Sequence, residues 1–165
     1  MNAPPPPLIG PEQAALMARR VSIIVGSRDA HQRPHVMRAA GCRLSTDRHR
    51  ITVLMPRASG QAVLDDLRDN GQIAVVFSEP SSHLTLQLKG HDATVAPCEA
   101  GDAALAEAYL QGMVEEIGQI GLPAQVAHTM LRHGDMLVAV HFTGAAAFEQ
   151  TPGPAAGEPL AAGGS

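Results

Sequence analysis

Residues 21–95 read VSIIVGSRDAHQRPHVMRAAGCRLSTDRHRITVLMPRASGQAVLDDLRDNGQIAVVFSEPSSHLTLQLKGHDATV, and the order of apolar runs in this stretch decides the fold. Residues 21–25 form a short apolar run closed by Gly26-Ser27, the pattern of a buried strand. Residues 27–34 are polar and read as a turn. Residues 34–44 read as a second strand. Alternation there places His35, Met37 and Ala39 on one face and Val36, Arg38 and Ala40 on the other. Residues 51–55 are continuously apolar, so that strand is expected to be covered on both faces. Ser59 is the expected N-cap of a helix whose apolar face is Val63, Leu64 and Leu67, with Asn70-Gly71 as its stop. Residues 73–77 are another apolar strand. Residues 83–89 alternate, with Leu84, Leu86 and Leu88 facing one way and His83, Thr85, Gln87 and Lys89 the other. Gly90-His91-Asp92 marks a bend or bulge before residues 93–95.

Outward from this stretch the pattern becomes helical. Residues 11–20 open on Pro-Glu and read as a short helix. Residues 103–120 carry Leu105, Ala108, Tyr109, Met113 and Ile117 at helical spacing. Pro123 starts a shorter helix that Gly134 is expected to end. Residues 137–142 are the closing strand, continuing to Phe148. About six strands with an inserted helix, a helical excursion and a return strand predict an α+β, mainly β, antiparallel barrel with flanking helices. Residues 1–11 are a Pro-rich arm, residues 12–150 the domain, and residues 151–165 a Pro, Gly and Ala tail expected to be flexible. Residues 1–11 and those from about 155 onward are expected to be dispensable for folding.

Composition narrows the function classes. The chain has 165 residues, 45% hydrophobic and 17% charged, which suits one folded domain. With no Trp, one Tyr and three Phe, the core must be aliphatic, and a bound ring would stack on backbone and aliphatic groups. The net charge is −4 and the basic residues are dispersed, which argues against nucleic-acid binding. Cys42 and Cys98 fit no metal spacing and read as reduced thiols of a cytoplasmic protein. No run is long enough to span a membrane, and the N-terminus lacks the pattern of a signal peptide.

Two features carry chemistry. Arg38 stands mid-strand among apolar residues, where a charge is costly unless paired. A guanidinium grips phosphate with a two-pronged fork, so an anionic ligand is one partner. The competing readings are a salt bridge to Asp65 or Asp66, and simple exposure. The second feature is the loop Pro56-Arg57-Ala58-Ser59-Gly60-Gln61, which joins a strand to a helix N-terminus. Such termini offer unpaired N–H groups and partial positive charge to anions. An ordinary capped helix with a surface arginine is the alternative. The eight histidines form no i, i+4 helix pair and no HExxH motif, so no metal site is expected. No GxSxG elbow, GxGxxG or Walker A motif is present.

On these segments the chain resembles the pyridoxamine 5′-phosphate oxidase-like family of FMN-binding split barrels, over about residues 12–150. The hairpin SIIVGSRDAHQRPHVMRAAGCRL is similar to the family's opening strands. ITVLMPRASGQAVLDDLRDNGQIAVVF is similar to its strand, Ser-x-Lys loop, helix and strand, and HLTLQLKGHDATV to its strand ending in Gly before a bend. The resemblance implies a six-stranded split barrel forming a homodimer, with FMN at the subunit interface and a small-molecule redox substrate. It implies that Arg38 and the loop Arg57, Ala58 and Ser59, with Gln61, hold the FMN phosphate. It also implies that Leu54, Met55, Pro56 and Gln87 line the flavin ring, and that a partner subunit partly covers strands 51–55 and 73–77. Gln61 stands where many members carry Lys, with Arg57 as the compensating charge, and Gln32 replaces the turn Gly. Some relatives bind or degrade haem, for which His83 or His91 is the ligand candidate, and a barrel without cofactor is a third reading.

Overall fold

The computed structural model describes residues 6–131 and 136–161. The expected helix end at Gly134 lies outside the described residues. In chain order the elements are α1 (Pro11–Met17), β1 (Ser22–Arg28), β2 (Pro34–Arg38), β3 (Cys42–Leu44), β4 (Arg50–Pro56), α2 (Gln61–Asn70), β5 (Ile73–Ser78), β6 (Thr85–Gly90), β7 (Thr94–Pro97), α3 (Asp102–Gln119), α4 (Ala124–Leu131), β8 (Leu137–Thr143) and β9 (Ala146–Glu149). The strands form two antiparallel sheets: five strands ordered β2-β1-β5-β6-β9, and four ordered β3-β4-β8-β7.

Besides the crossing through α2, the chain passes directly from one sheet to the other at three corners, and these corners explain why nine strands appear among the described residues where about six were expected. The expected strand over residues 34–44 is broken. Ala39 N–H still donates to Ile23 in the first sheet, whereas Ala40 N–H donates to Leu54 in the second. Gly41 makes the turn at φ +154°, a backbone conformation that side chains rarely adopt. The bend after Gly90 separates β6 from β7. A side chain at Gly90 would start 2.7 Å from the Phe142 ring and 2.8 Å from the Thr143 carbonyl, so only glycine fits. The closing strand breaks at Gly144-Ala145, placing β8 in one sheet and β9 in the other.

Between the sheets the alternating residues Ile23, Val25, Val75, Phe77, Leu86 and Leu88 meet Ile51, Val53, Met55, Val140 and Phe142 in one core. β4 is buried on both faces, as its unbroken apolar run predicts. Its second face is covered within the chain, by α3: Leu54 lies beside the Gly41 corner together with Leu105. No partner is needed to cover that strand, which corrects the expectation that a partner subunit partly covers it. β5 differs, with Ala74 and Val76 half-buried on the outer face of the first sheet. Leu84, expected to share the buried face of β6, lies before the strand and is exposed.

The ends of the chain join the fold more than their composition predicts. Ile9 is 1% exposed and belongs to the central core, with Leu8 packed beside it. Residues 157–160 run along β9: Gly157 N–H donates to Glu149, Glu149 N–H to Glu158, and Leu160 N–H to Ala147. Leu160 packs against the core. Leu8 and Ile9 at one end and Leu160 at the other anchor backbone that otherwise reads as linker. Among the described residues, no helix is long and apolar enough to cross a membrane.

Candidate functional site

The β1–β2 ladder pairs Ile24 with Arg38 and Val25 with Met37. Val25 and Met37 face the core, so Arg38 stands on the outer face of the first sheet. Its Nη1 donates to Ser22 Oγ at 2.8 Å. Neither Asp65 nor Asp66 meets it. Asp65 accepts from Gln61 Nε2 at 2.6 Å and from Arg68 Nη1 at 3.0 Å. Asp66 is buried and accepts from Ser27 Oγ at 2.6 Å and His35 Nδ1 at 2.7 Å. Arg38 is therefore a half-buried cation whose hydrogen-bond partner is a neutral hydroxyl, and the salt bridge to Asp65 or Asp66 does not form.

The loop before α2 lies beside the end of β2. Gly60, not Ser59, is the N-cap of α2, and no side chain caps it. The turn closes through Gly60 N–H to Pro56 at 3.0 Å, and a β-carbon at Gly60 would fall 2.5 Å from that carbonyl oxygen. The same position looks onto Met55 at 3.6 Å and Met37 at 3.7 Å. Met37 thus ties the end of β2 to the start of α2, with Arg38 next along the strand on the opposite face. Arg57, Ala58 and Ser59 are exposed, and Arg57 N–H is held by the Met136 carbonyl at 2.8 Å. Arg57 also lines a cleft of about 520 Å³ with Arg68 and Cys98.

The remaining expected site residues divide. Leu54, Met55 and Pro56 are buried, so their side chains are core and only their backbone is available to a ligand. Gln87 is half-buried on the outer face of the first sheet. The ladders Ile24–Val76, Val76–Gln87 and Gln87–Phe148 place it on the same cross-strand row as Arg38. β1 and β5 lie between the two residues, which separates their backbones by about 14 Å at the usual strand spacing. Met37 brings the end of β2 to the Arg57–Gln61 turn, whereas Arg38 and Gln87 stand on the outer face of the first sheet, two strands apart.

Other polar groups escape sequence reasoning because their partners are distant in the chain. Ser22 is one; its alternation with Ile24 is the only local signal. At the start of α3, Arg43 Nε donates to buried Asp102 at 2.9 Å; on the second sheet, Thr52 bonds His141 at 2.8 Å. Burial alone would raise the Asp102 pKa. The Arg43 hydrogen bond and the Glu99 N–H outweigh it and hold the carboxyl below its ordinary range. Burial, with the Arg50 and Arg43 charges, lowers the His141 pKa. Burial pushes the Cys42 thiol up to about 12. His83 sits in a turn at φ +62°, and His91 Nδ1 meets Gln72 Oε1 at 2.8 Å. Among the described residues, no group of three His, Cys, Asp or Glu is arranged to hold a metal ion.

No protein-family model matches the sequence, and no curated protein matches it. Solved structures do resemble its fold. HupZ of Group A Streptococcus is 18% identical, with 88% of this chain and 97% of that chain covered, at a TM-score of 0.53. A putative pyridoxamine 5′-phosphate oxidase from Lactobacillus delbrueckii is 16% identical over 84% of this chain and 91% of its own, at 0.49. A pyridoxamine 5′-phosphate oxidase-related, FMN-binding protein from Nostoc punctiforme is 11% identical over 87% and 81%, at 0.47. At these identities the likeness is one of fold: an α+β domain of two antiparallel sheets.

Proposed function

We propose that this chain is an FMN-binding split-barrel protein, acting as a homodimeric flavin-dependent oxidoreductase on a small molecule. The observation that carries the reading is the state of Arg38. It is a half-buried guanidinium without a carboxylate partner among the described residues, next in β2 to Met37, which packs at the N-terminus of α2 that no side chain caps. A dianionic phosphate satisfies both: the fork of Arg38 and the amides of α2 supply charge-assisted donors, with Arg57 adding a second cation. The backbone of residues 54–56 and the side chain of Gln87 are the remaining groups assigned to the flavin. FMN would supply the redox chemistry, while the chain's part is to hold the phosphate and orient the ring.

The outer face of the first sheet suits the proposed dimer. It presents Ile24, Ala74, Val76 and Phe148 half-buried, with Val36 71% exposed at its edge. An apolar sheet face of this kind is a common protein–protein surface. The absorption spectrum of the purified protein tests the cofactor. A flavin band near roughly 450 nm is expected from the chemistry of the ring. A haem spectrum, or a colourless protein that takes up no added FMN, would overturn the reading.

A further inference from the structure

α3 is fixed at two places. At one, a β-carbon on Gly41 would fall 3.4 Å from Leu54, 3.6 Å from Leu105 and 3.9 Å from the Ala106 backbone, so the helix rests on that corner of the second sheet. At the other, Leu110, Met113 and Ile117 pack with Ala127 and Leu131 of α4 in a cluster separate from the central core. Between these contacts α3 presents Ala103 and Ala106, and the end of the sheet presents Ala40. Short side chains on both sides leave a cleft of about 440 Å³, walled by Leu110, Leu131 and Leu137. Among the described residues its one charged group is Glu107, which is exposed at the rim and accepts from Gln111 at 3.0 Å.

This cleft meets another. The cleft of about 520 Å³ that holds Arg57 and Arg68 shares Cys98, Met136 and Leu137 with it. The ladders explain the junction. Pro56 pairs with Leu137 and Pro97 with Val138, so Arg57, Leu137 and Cys98 all stand where strands of the second sheet end. The bond from Arg57 N–H to the Met136 carbonyl, at 2.8 Å, closes that end. Among the described residues no Asp or Glu lines the cleft of the two arginines. Arg68 meets Asp65 at 3.0 Å, but both side chains are exposed and such a pair contributes little. Arg57 has no carboxylate partner among the described residues. Burial, together with Asp102, raises the Cys98 pKa, so a neutral thiol stands at the junction.

We propose that the joined clefts bind an unbranched aliphatic carboxylate. The carboxylate lies between Arg57 and Arg68. The chain bends past Leu137 and Cys98 at the end of the sheet and fills the alanine-lined space under α3. The two voids meet around strand ends, so a flexible chain follows the path and a rigid ring system does not. Glu107 at the far rim repels a carboxylate that enters the other way round, which sets the direction. The combined space suits a chain of about ten carbons. Arg57 is also assigned to the FMN phosphate, so the test rests on Arg68, Ala106 and Cys98.

The probe is decanoate, with butyrate as the short-chain control and 1-decanol as the uncharged one. Each is titrated against the full chain while the rate of Cys98 alkylation by N-ethylmaleimide is followed. Cys42, packed against the central core, is the internal reference. We expect decanoate to slow the reaction at Cys98 saturably, at lower concentration than either control. In Ala106→Phe, which fills the space under α3, decanoate should no longer slow it. Arg68→Gln should weaken decanoate by about fivefold to tenfold and leave 1-decanol unchanged. An unaltered Cys98 rate, equal potency of decanoate and 1-decanol, or protection of Cys42 in place of Cys98 would overturn the proposal. Loss of flavin from Ala106→Phe would also overturn it, because the cleft would then belong to the cofactor site. Arg68 is exposed, so its variant keeps the test open if Ala106→Phe fails to fold.

Discussion

Arg38 Nη1 donates to Ser22 Oγ at 2.8 Å across the β1–β2 hairpin. The pairing matters for what it lacks. A hydroxyl offsets only part of the cost of a half-buried guanidinium. Arg38→Ala is therefore expected to weaken FMN at least tenfold, since a hydrogen bond to a charged group is worth about 1.5–3 kcal/mol. The fold should survive, because Arg38 lies outside the core. Fluorescence titration of the apoprotein with FMN measures the change, and an unaltered affinity refutes the phosphate assignment.

Gly60 supplies a second test of the same corner. Its missing side chain lets the turn close: a β-carbon at Gly60 would fall 2.5 Å from the Pro56 carbonyl oxygen, closer than any β-carbon tolerates. Gly60→Ala must displace the Arg57–Ser59 turn. We expect a loss of FMN affinity larger than the loss of melting temperature, measured on one preparation. A variant that binds FMN as the parent does would separate this turn from the cofactor.

The elements set by local pattern were legible in the sequence. The unbroken run of β4, the apolar face of α2 and the long α3 are all read from spacing. What escaped was set by distant atoms. The Ala39-Ala40-Gly41 corner is as apolar as the strand it interrupts, so only the geometry of Gly41 reveals the crossing between sheets. Ser59 has better capping chemistry than Gly60, yet the close approach of Pro56 demands glycine. Leu54 and Met55 look like ligand-lining residues on resemblance, but α3 and the second sheet bury them. Arg38 was found as a mid-strand charge, while its partner Ser22 and the His35–Asp66 pair depend on ladder register and helix docking.

The ends of the chain contribute to stability beyond their composition. Ile9→Ala should destabilise by about 2–4 kcal/mol, the usual range for truncating a buried isoleucine. Truncation after Gly157 removes Leu160 and its hydrogen bond to Ala147, and should also lower the melting temperature. Thermal unfolding of both variants decides the matter. Parent-like melting in both would place the two segments outside the cooperative unit.

For the dimer, light scattering at low micromolar concentration should report about twice the chain mass of 17.2 kDa. Val36→Glu puts a charge on the most exposed apolar position of the outer sheet face. It should shift the chain toward monomer while leaving the core intact, because burying an unpaired carboxylate at an interface is costly. A variant that stays dimeric would place the interface elsewhere.

His141 should make stability depend on pH. It is buried and bonded to Thr52, and burial together with the Arg50 and Arg43 charges lowers its pKa below the ordinary value of 6.5. Its folded-state pKa is thus depressed relative to the unfolded chain. Above about pH 6.5 the ring is neutral in both states and the contribution is fully present. As pH falls below that value the unfolded chain takes up the proton first, and stability is lost until the folded-state pKa is passed. Asp102 and Glu149 are also held low, but their losses begin below the unfolded carboxylate values of 3.8 and 4.5. The window between pH 7 and 5 therefore isolates histidine. His141→Asn keeps a polar group facing Thr52 and removes the titration. The parent should melt well above this variant at pH 7, and the gap should narrow steadily toward pH 5. A gap that stays constant or widens as the solution is acidified would show that His141 is not held neutral by the fold.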